Sequence, residues 1–273
     1  MQIVQGADMP FVMRNNPRGG SFEMKSLLEG TPGTKGNFLL TLSRTFADFA
    51  SPRHRHNFDQ VRVQISGESA FGRDGTMRPG VVGYFPEGTF YGPQSAEGEA
   101  IVLVLQLGGA SGNGYMAEAQ LQAGMAALKT VGTFEGGVFS RLTGEGRKRQ
   151  DAYEACWEHW SGRRMDYPAP RYAAPVLMLP EGFAWVNQVD GVATKRLGGF
   201  NEAGTELLML RVEAGATGAL TGAALVYGLA GTGRLGADPV KPGTALHLAA
   251  GEKIEVAAGS ELELLVIRLP VFA

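Results

Sequence analysis

Short runs rich in apolar residues, strictly alternating in VRVQISGE, mark four stretches between residues 36 and 108: NFLLTLSRT, VRVQISGE, GVVGYFPEG and EAIVLVLQLGG. Gly, Pro and Asp separate them. Short apolar runs bounded by turn residues predict strands. From about residue 111 to 172 the period changes. YMAEAQLQAGMAALKTV and RQDAYEACWEHWSG carry apolar residues three and four apart, which predicts two amphipathic helices. The Pro-rich YPAPRYAAP closes this zone as an extended linker. From about 176 to the end the strand texture returns, in TELLMLRVEAG, GAALVYGLAGTG, VKPGTALHLAAGEKIEV and ELELLVIRLP.

The last zone repeats the first. Gly67 corresponds to Gly231, Pro79-Gly80 to Pro242-Gly243, Gly88 to Gly251, and Leu105 to Ile267, at a nearly constant offset of about 163 residues. The expected organisation is therefore a β unit over 1–110, a helical and Pro-rich connection over 111–175, and a second β unit over 176–273.

Composition narrows this picture without changing it. The chain has 273 residues, enough for one large domain or two small ones, and its 40 Gly and 14 Pro suit many tight turns. A formal net charge of −2 gives no reason to expect nucleic acid or an anionic membrane as partner. The single Cys156 excludes an intramolecular disulfide, and on the apolar stripe of a helix it reads as a buried, inert thiol. No window approaches the ~18 apolar residues of a membrane span, and no signal peptide is evident, so a cytoplasmic location is expected.

The candidate chemistry lies in SPRHRHNFDQVRVQISGE, residues 51–68. In a strand, residues two apart share a face, so His54 and His56 can point together at one cation. Two motifs run through this region. His54, His56, Gln60 and Gly67 keep the spacing of Gly-x5-His-x-His-x3,4-Glu-x6-Gly. Gly80, Pro86, Gly88 and Tyr91 keep that of Gly-x5-Pro-x-Gly-x2-His-x3-Asn. On these residues the chain resembles the cupin superfamily, well over 36–108 and weakly over 200–270. It departs from the family at Asp48 for Gly, Gln60 for Glu, Tyr91 for His and Ser95 for Asn.

The resemblance implies an all-β bicupin: two double-stranded β-helix (jelly-roll) barrels joined by a partly helical segment, with a homodimer as the expected assembly. It also implies a metal site of His54, His56, Gln60 and Tyr91, holding one divalent transition ion, Fe, Mn, Ni, Cu or Zn. Imidazoles suit any of these ions, but Gln60 brings an amide in place of a carboxylate and Tyr91 a phenol. The two histidines either hold an ion or form a hydrogen-bonded polar cluster at the mouth of a metal-free pocket. Asp59, one residue off the ligand position, is expected to face away from Gln60.

Strand parity adds a second expectation. If Gln60 faces inward, so do Arg62 and Gln64, and an inward Arg favours an anionic or carbonyl-rich small molecule. The alternatives are a reversed parity, or Arg62 paired with a carboxylate at the rim. Tyr84, Phe85, Phe90 and Tyr91 offer either an aromatic pocket wall or core packing. Arg62, Gln64, Tyr84 and Phe90 are thus the candidate substrate contacts, with Tyr91 and Arg62 the candidate catalytic residues.

In the second unit the ligand positions fall near Gly218, Leu220, Ala224 and Ile254, none of which ligates a metal. His247 reads as a buried structural histidine and His159 as a helix-surface residue. GLAGTGRLG opens no helix and is not a dinucleotide loop, and RKRQ at 147–150 is a solvated helix end. Three functions follow: a metal-dependent, dioxygenase-like enzyme, a non-catalytic small-molecule-binding protein, or a metal-independent isomerase or lyase.

Overall fold

A computed structural model describes residues 1–272. It is predominantly β. The chain divides into two compact units, one of Phe11–Leu177 and one of Met1–Pro10 with Met178–Ala273. This differs from the expected division in two places. Gln2–Gln5 adds as an edge strand to Thr244–Leu248, in the register Gln2 opposite His247 and Gln5 opposite Thr244. Residues 111–175 fold with the first unit.

Each unit holds a seven-stranded and a four-stranded antiparallel sheet. In the first, six strands run in the order Val82–Phe85, Asp59–Ser66, Ala100–Leu107, Phe38–Thr45, Ser21–Glu29, Val12–Asn15, with Val176–Met178 beyond Val82–Phe85. In the second, Thr244–Leu248, Ala224–Ala230, Leu262–Arg268, Glu206–Val212, Val192–Gly199 and Val186–Val189 repeat that order, with Gln2–Gln5 beyond. The four-stranded sheets are Ala50–Ser51, Gln94–Ser95, Ser69–Ala70, Thr76–Met77 and Thr217–Thr221, Lys253–Ala258, Gly233–Leu235, Asp238–Val240.

The repeat's landmark glycines explain themselves locally. Gly67 and Gly231 have φ of +64° and +77°, and a Cβ on either would lie 2.2 Å from Glu99 O or 1.9 Å from Glu261 O. Only glycine fits a left-handed turn that packed against backbone.

Alternation divides the first unit's large sheet into two faces. Val61 and Val63 sit opposite Leu105 and Leu103, which face Leu40 and Leu42, and together they form one buried apolar layer. Gln60 and Arg62, opposite Gln106 and Val104, occupy the other face with Thr41 and Ser43.

The connecting segment forms two helices, α1 (Glu118–Lys129) and α2 (Ala152–Ser161). Between them lies a three-stranded sheet of Gly132–Glu135, Val138–Arg141 and Arg149–Asp151 that the helical pattern did not anticipate. Its strands are only three or four residues long, too short for alternation to stand out. Leu121, Met125, Cys156 and Trp157 of the helices pack with Leu39 and Phe58, so the segment becomes a wall of the first unit. Burial pushes the Cys156 thiol up to about 12, which keeps it protonated and inert. His159 is exposed. His247 is half-buried, because it alternates with Leu246 and Leu248, which take the core.

Candidate functional site

Backbone pairing brings the two motif segments together. His54 N donates to Tyr91 O (3.1 Å), Tyr91 N donates to His54 O (2.9 Å), and Gly88 N donates to His56 O (2.8 Å). The side chains of His54, His56, Gln60, Arg62 and Tyr91 all line one cavity of about 140 Å³ in this unit.

The Tyr91 hydroxyl is the hub of the cluster. His54 Nε2 lies 3.0 Å from Tyr91 Oη, His56 Nδ1 3.5 Å and Gln60 Oε1 3.3 Å, and Arg62 Nη2 donates to the same oxygen at 3.0 Å. His54 Nδ1 meets the Pro52 carbonyl at 2.6 Å. That carbonyl only accepts, so Nδ1 carries the proton, and Nε2 of the neutral ring accepts from Tyr91. Burial is the main reason both histidines titrate well below the ordinary imidazole value. The charges of Arg18 and Arg62 push the same way, and for His56 so does His54. Burial likewise raises Tyr91, against the opposing pull of Arg62 and Arg18, so the phenol keeps its proton.

Arg62 is 8% exposed. Its Nε and Nη2 donate to Gln60 Oε1 (3.2 and 2.9 Å) and its Nη1 to Gln94 Oε1 (2.9 Å). The rings of Phe85, Phe71 and Tyr91 lie 4.7, 5.3 and 5.4 Å from the guanidinium carbon. Among the described residues no carboxylate pairs with it. Burial accordingly lowers its pKa, a sign of charge held out of water without a counter-ion.

From Arg62 the hydrogen bonds run outward in one direction. Gln60 Nε2 donates to Gln106 Oε1 (3.2 Å), and Gln106 Nε2 donates to Tyr115 Oη (3.1 Å). Because the guanidinium only donates, Gln60 must present its oxygen, and that fixes both amides.

Arg18 was not anticipated. It sits in the turn before Ser21–Glu29, 4% exposed, with Nε and Nη2 on the two oxygens of Asp151 (2.8 and 2.9 Å). Asp151 also caps α2 by accepting from Glu154 N at 3.0 Å. Tyr153, on the first turn of α2, and Ser51 line the cavity too, and their hydroxyls have no partner among the described residues. These residues come from a loop, a short edge strand and a helix, so no local spacing connects them to the histidines.

Three expected contacts lie elsewhere. Tyr84 stands opposite Val61, on the other face, and donates to Asp59 Oδ2 at 2.7 Å. Phe90 is 47% exposed and sits beside Arg55, at 4.8 Å. Gln64 shares the inward face, but its amide turns back to Ser66 O (2.9 Å), beside the register shift at Ile101/Val102, and does not line the cavity. Asp59 faces away from Gln60, as its second oxygen accepts from Glu87 N at 2.8 Å.

The donor set does not fit a divalent transition ion. Among the described residues no three His, Cys, Asp or Glu side chains gather to hold one. Gln60 Oε1 already accepts twice from a guanidinium, and Tyr91 is a protonated phenol that would have to lose its proton to bind well. An ion on that amide oxygen would stand about 4 Å from the guanidinium, at a repulsion of about 4 kcal/mol per unit charge for an effective dielectric near 20.

The fold is shared with solved structures of low sequence identity. A putative dioxygenase from Nostoc punctiforme matches at 11% identity over 99% of this chain and 83% of that one, with a TM-score of 0.63. A putative glyoxylate-induced protein from Pseudomonas aeruginosa matches at 14% over 98% and 87%, with a TM-score of 0.59. Oxalate decarboxylase from Bacillus subtilis matches at 13% over 99% and 77%, with a TM-score of 0.56. At these identities the likeness shows a shared fold. No family model and no curated protein matches the chain. Among the described residues no helix is long and apolar enough to cross a membrane.

Proposed function

We propose that the Phe11–Leu177 unit binds a small, oxygen-rich organic anion, without a resident metal. The observation that carries this reading is Arg62, buried on the cavity wall with no carboxylate partner among the described residues. The unused hydrogens around it support the same reading. Arg62 and Arg18 each keep free N–H on Nη1, and the Ser51 and Tyr153 hydroxyls have none of their bonding capacity used. A wall rich in donors fits a ligand rich in acceptors. The cavity is near the ~150 Å³ that takes a benzene-sized molecule, which sets the ligand's bulk. An enzyme named for oxalate among the structural neighbours is in keeping with a small organic acid.

The test is a thermal-shift and calorimetric panel of small mono- and dicarboxylates and hydroxy acids, run on the native chain and on Arg62→Met. Binding by members of the panel that weakens at least about tenfold in the variant is the expected result, from the loss of charge-assisted hydrogen bonds of about 1.5–3 kcal/mol. Binding that ignores the substitution, or no binding at all, overturns it.

A second reading, metal-independent acid–base catalysis, rests on Tyr91 Oη lying between His54 Nε2 and Arg62 Nη2. The protonated phenol can give its proton to a bound substrate and the guanidinium can stabilise a developing oxyanion, as an isomerase or lyase requires. Deuterium uptake from D2O into a bound acid, lost in Tyr91→Phe with binding retained, checks it. The dioxygenase-like, metal-dependent reading is the less supported one, for want of a carboxylate ligand. Finally, we read the two units as a duplicated pair of cupin barrels, on their common strand order and their matched left-handed glycines.

A further inference from the structure

The motif positions His54, His56, Gln60 and Tyr91 do converge, but the point of convergence is an oxygen of the protein itself. Tyr91 Oη is within 3.5 Å of His54 Nε2, His56 Nδ1, Gln60 Oε1 and Arg62 Nη2. A phenol reaches further from its Cα than an imidazole. A tyrosine at this position therefore places its oxygen where the surrounding donors meet, instead of beside that point.

Positive charge is supplied separately. Arg62 contacts both non-histidine members of the set, Gln60 through two bonds and Tyr91 through one. It is held in place by Gln94 and by a cage of three aromatic rings. A guanidinium cannot lose its charge at any physiological pH, so the cluster carries a permanent cation.

We propose that the Tyr91 hydroxyl and the Arg62 guanidinium together replace a metal ion, the hydroxyl as the hub of the donors and the guanidinium as the charge. The replacement is mutually exclusive with metal binding: an ion at the hub must displace the phenol and tolerate the guanidinium. This inference deepens the metal-free reading of the same site. It also gives the phenol a role that a vacant or merely decayed metal site would lack, because its oxygen lies within 3.5 Å of a polar atom of every other member.

Co(II) is the probe, since its visible absorption reports coordination by imidazole and its uptake is counted by elemental analysis. Three proteins are compared: the native chain, Gln60→Glu/Tyr91→His, and Gln60→Glu/Tyr91→His/Arg62→Leu. The native chain is expected to take up no stoichiometric Co(II). The triple variant is expected to bind about one equivalent, and the double variant at least about tenfold more weakly than the triple. One equivalent bound by the native chain and lost in His54→Ala overturns the proposal. So does equal affinity of the double and triple variants, and so does a folded triple variant that binds none. Should the triple variant not fold, Gln60→Glu alone decides. Its carboxylate is expected to pair with Arg62 and raise the melting temperature without Co(II) uptake, and stoichiometric uptake overturns the proposal. No readout here uses an organic anion, so a failure of the anion-binding reading leaves these outcomes separately legible.

Discussion

The two units lay the same strands side by side in the same order and fill them in opposite ways. In the second, Val226 sits opposite Val266, and both belong to a continuous buried apolar cluster with Leu210, Leu246, Leu264 and Ile254. In the first, the same register places Arg62 opposite Val104, with Gln60 opposite Gln106 and Thr41 and Ser43 on the neighbouring strand. The positions that align with the four motif residues make the same point: Gly218 approaches Val192 and Val212, while Leu220, Ala224 and Ile254 are core. One interior is filled by packed apolar side chains. The other gives up apolar burial for a polar cavity.

The sharpest way to break this contrast is to move the arginine. Val226→Arg would bury a charge without partners in the apolar interior. It is expected to cost more than about 4 kcal/mol, measured by urea denaturation. A cost below about 1 kcal/mol would mean the second interior has room and polarity that the packing denies.

Truncation sharpens the same point at smaller scale. Leu264→Ala, in the solid interior, is expected to cost about 2–5 kcal/mol. Leu121→Ala, on the cavity wall, is expected to cost less, because its neighbours already border open space. Equal losses would argue against a hollow first unit.

A smaller effect concerns pH. His54 and His56 have folded pKa values below the unfolded value near 6.5, so below that pH the unfolded state binds more protons. Stability should therefore fall as pH drops from about 6.5 toward the folded values, with a slope up to about 1.4 kcal/mol per pH unit for each histidine. The groups facing them are Arg18, Arg62, Tyr91 and the Pro52 carbonyl, and none supplies a negative charge that would hold a proton there. Denaturation midpoints across pH 5–8, compared with His56→Phe, check this: the variant should flatten the profile.

Much of the contrast was legible in the sequence. Short apolar runs between turn residues located the strands, and the offset of about 163 residues exposed the repeat. The resemblance to the cupin motifs gathered His54, His56, Gln60 and Tyr91, and parity put Arg62 on their face. What spacing could not supply was non-local. Arg18 and Tyr153 reach the cavity through the turn before Ser21–Glu29 and through α2, and only folding of the connecting segment onto Phe58 brings them there. The aromatic cluster misled for Tyr84, since an aromatic run has members on both faces and only the pairing with Val61 tells which. The Gln2–Gln5 strand escaped because its partner is more than 200 residues away in the chain.

The central claim is that Arg62 with Tyr91, and no bound metal, makes this cavity a receptor for a small organic anion. Its most direct measurement is a calorimetric titration of the tightest-binding acid into protein before and after exhaustive treatment with a metal chelator. The account predicts the same affinity in both, with less than a tenth of an equivalent of transition metal by elemental analysis. Affinity abolished by the chelator and restored by one equivalent of a divalent ion would contradict it.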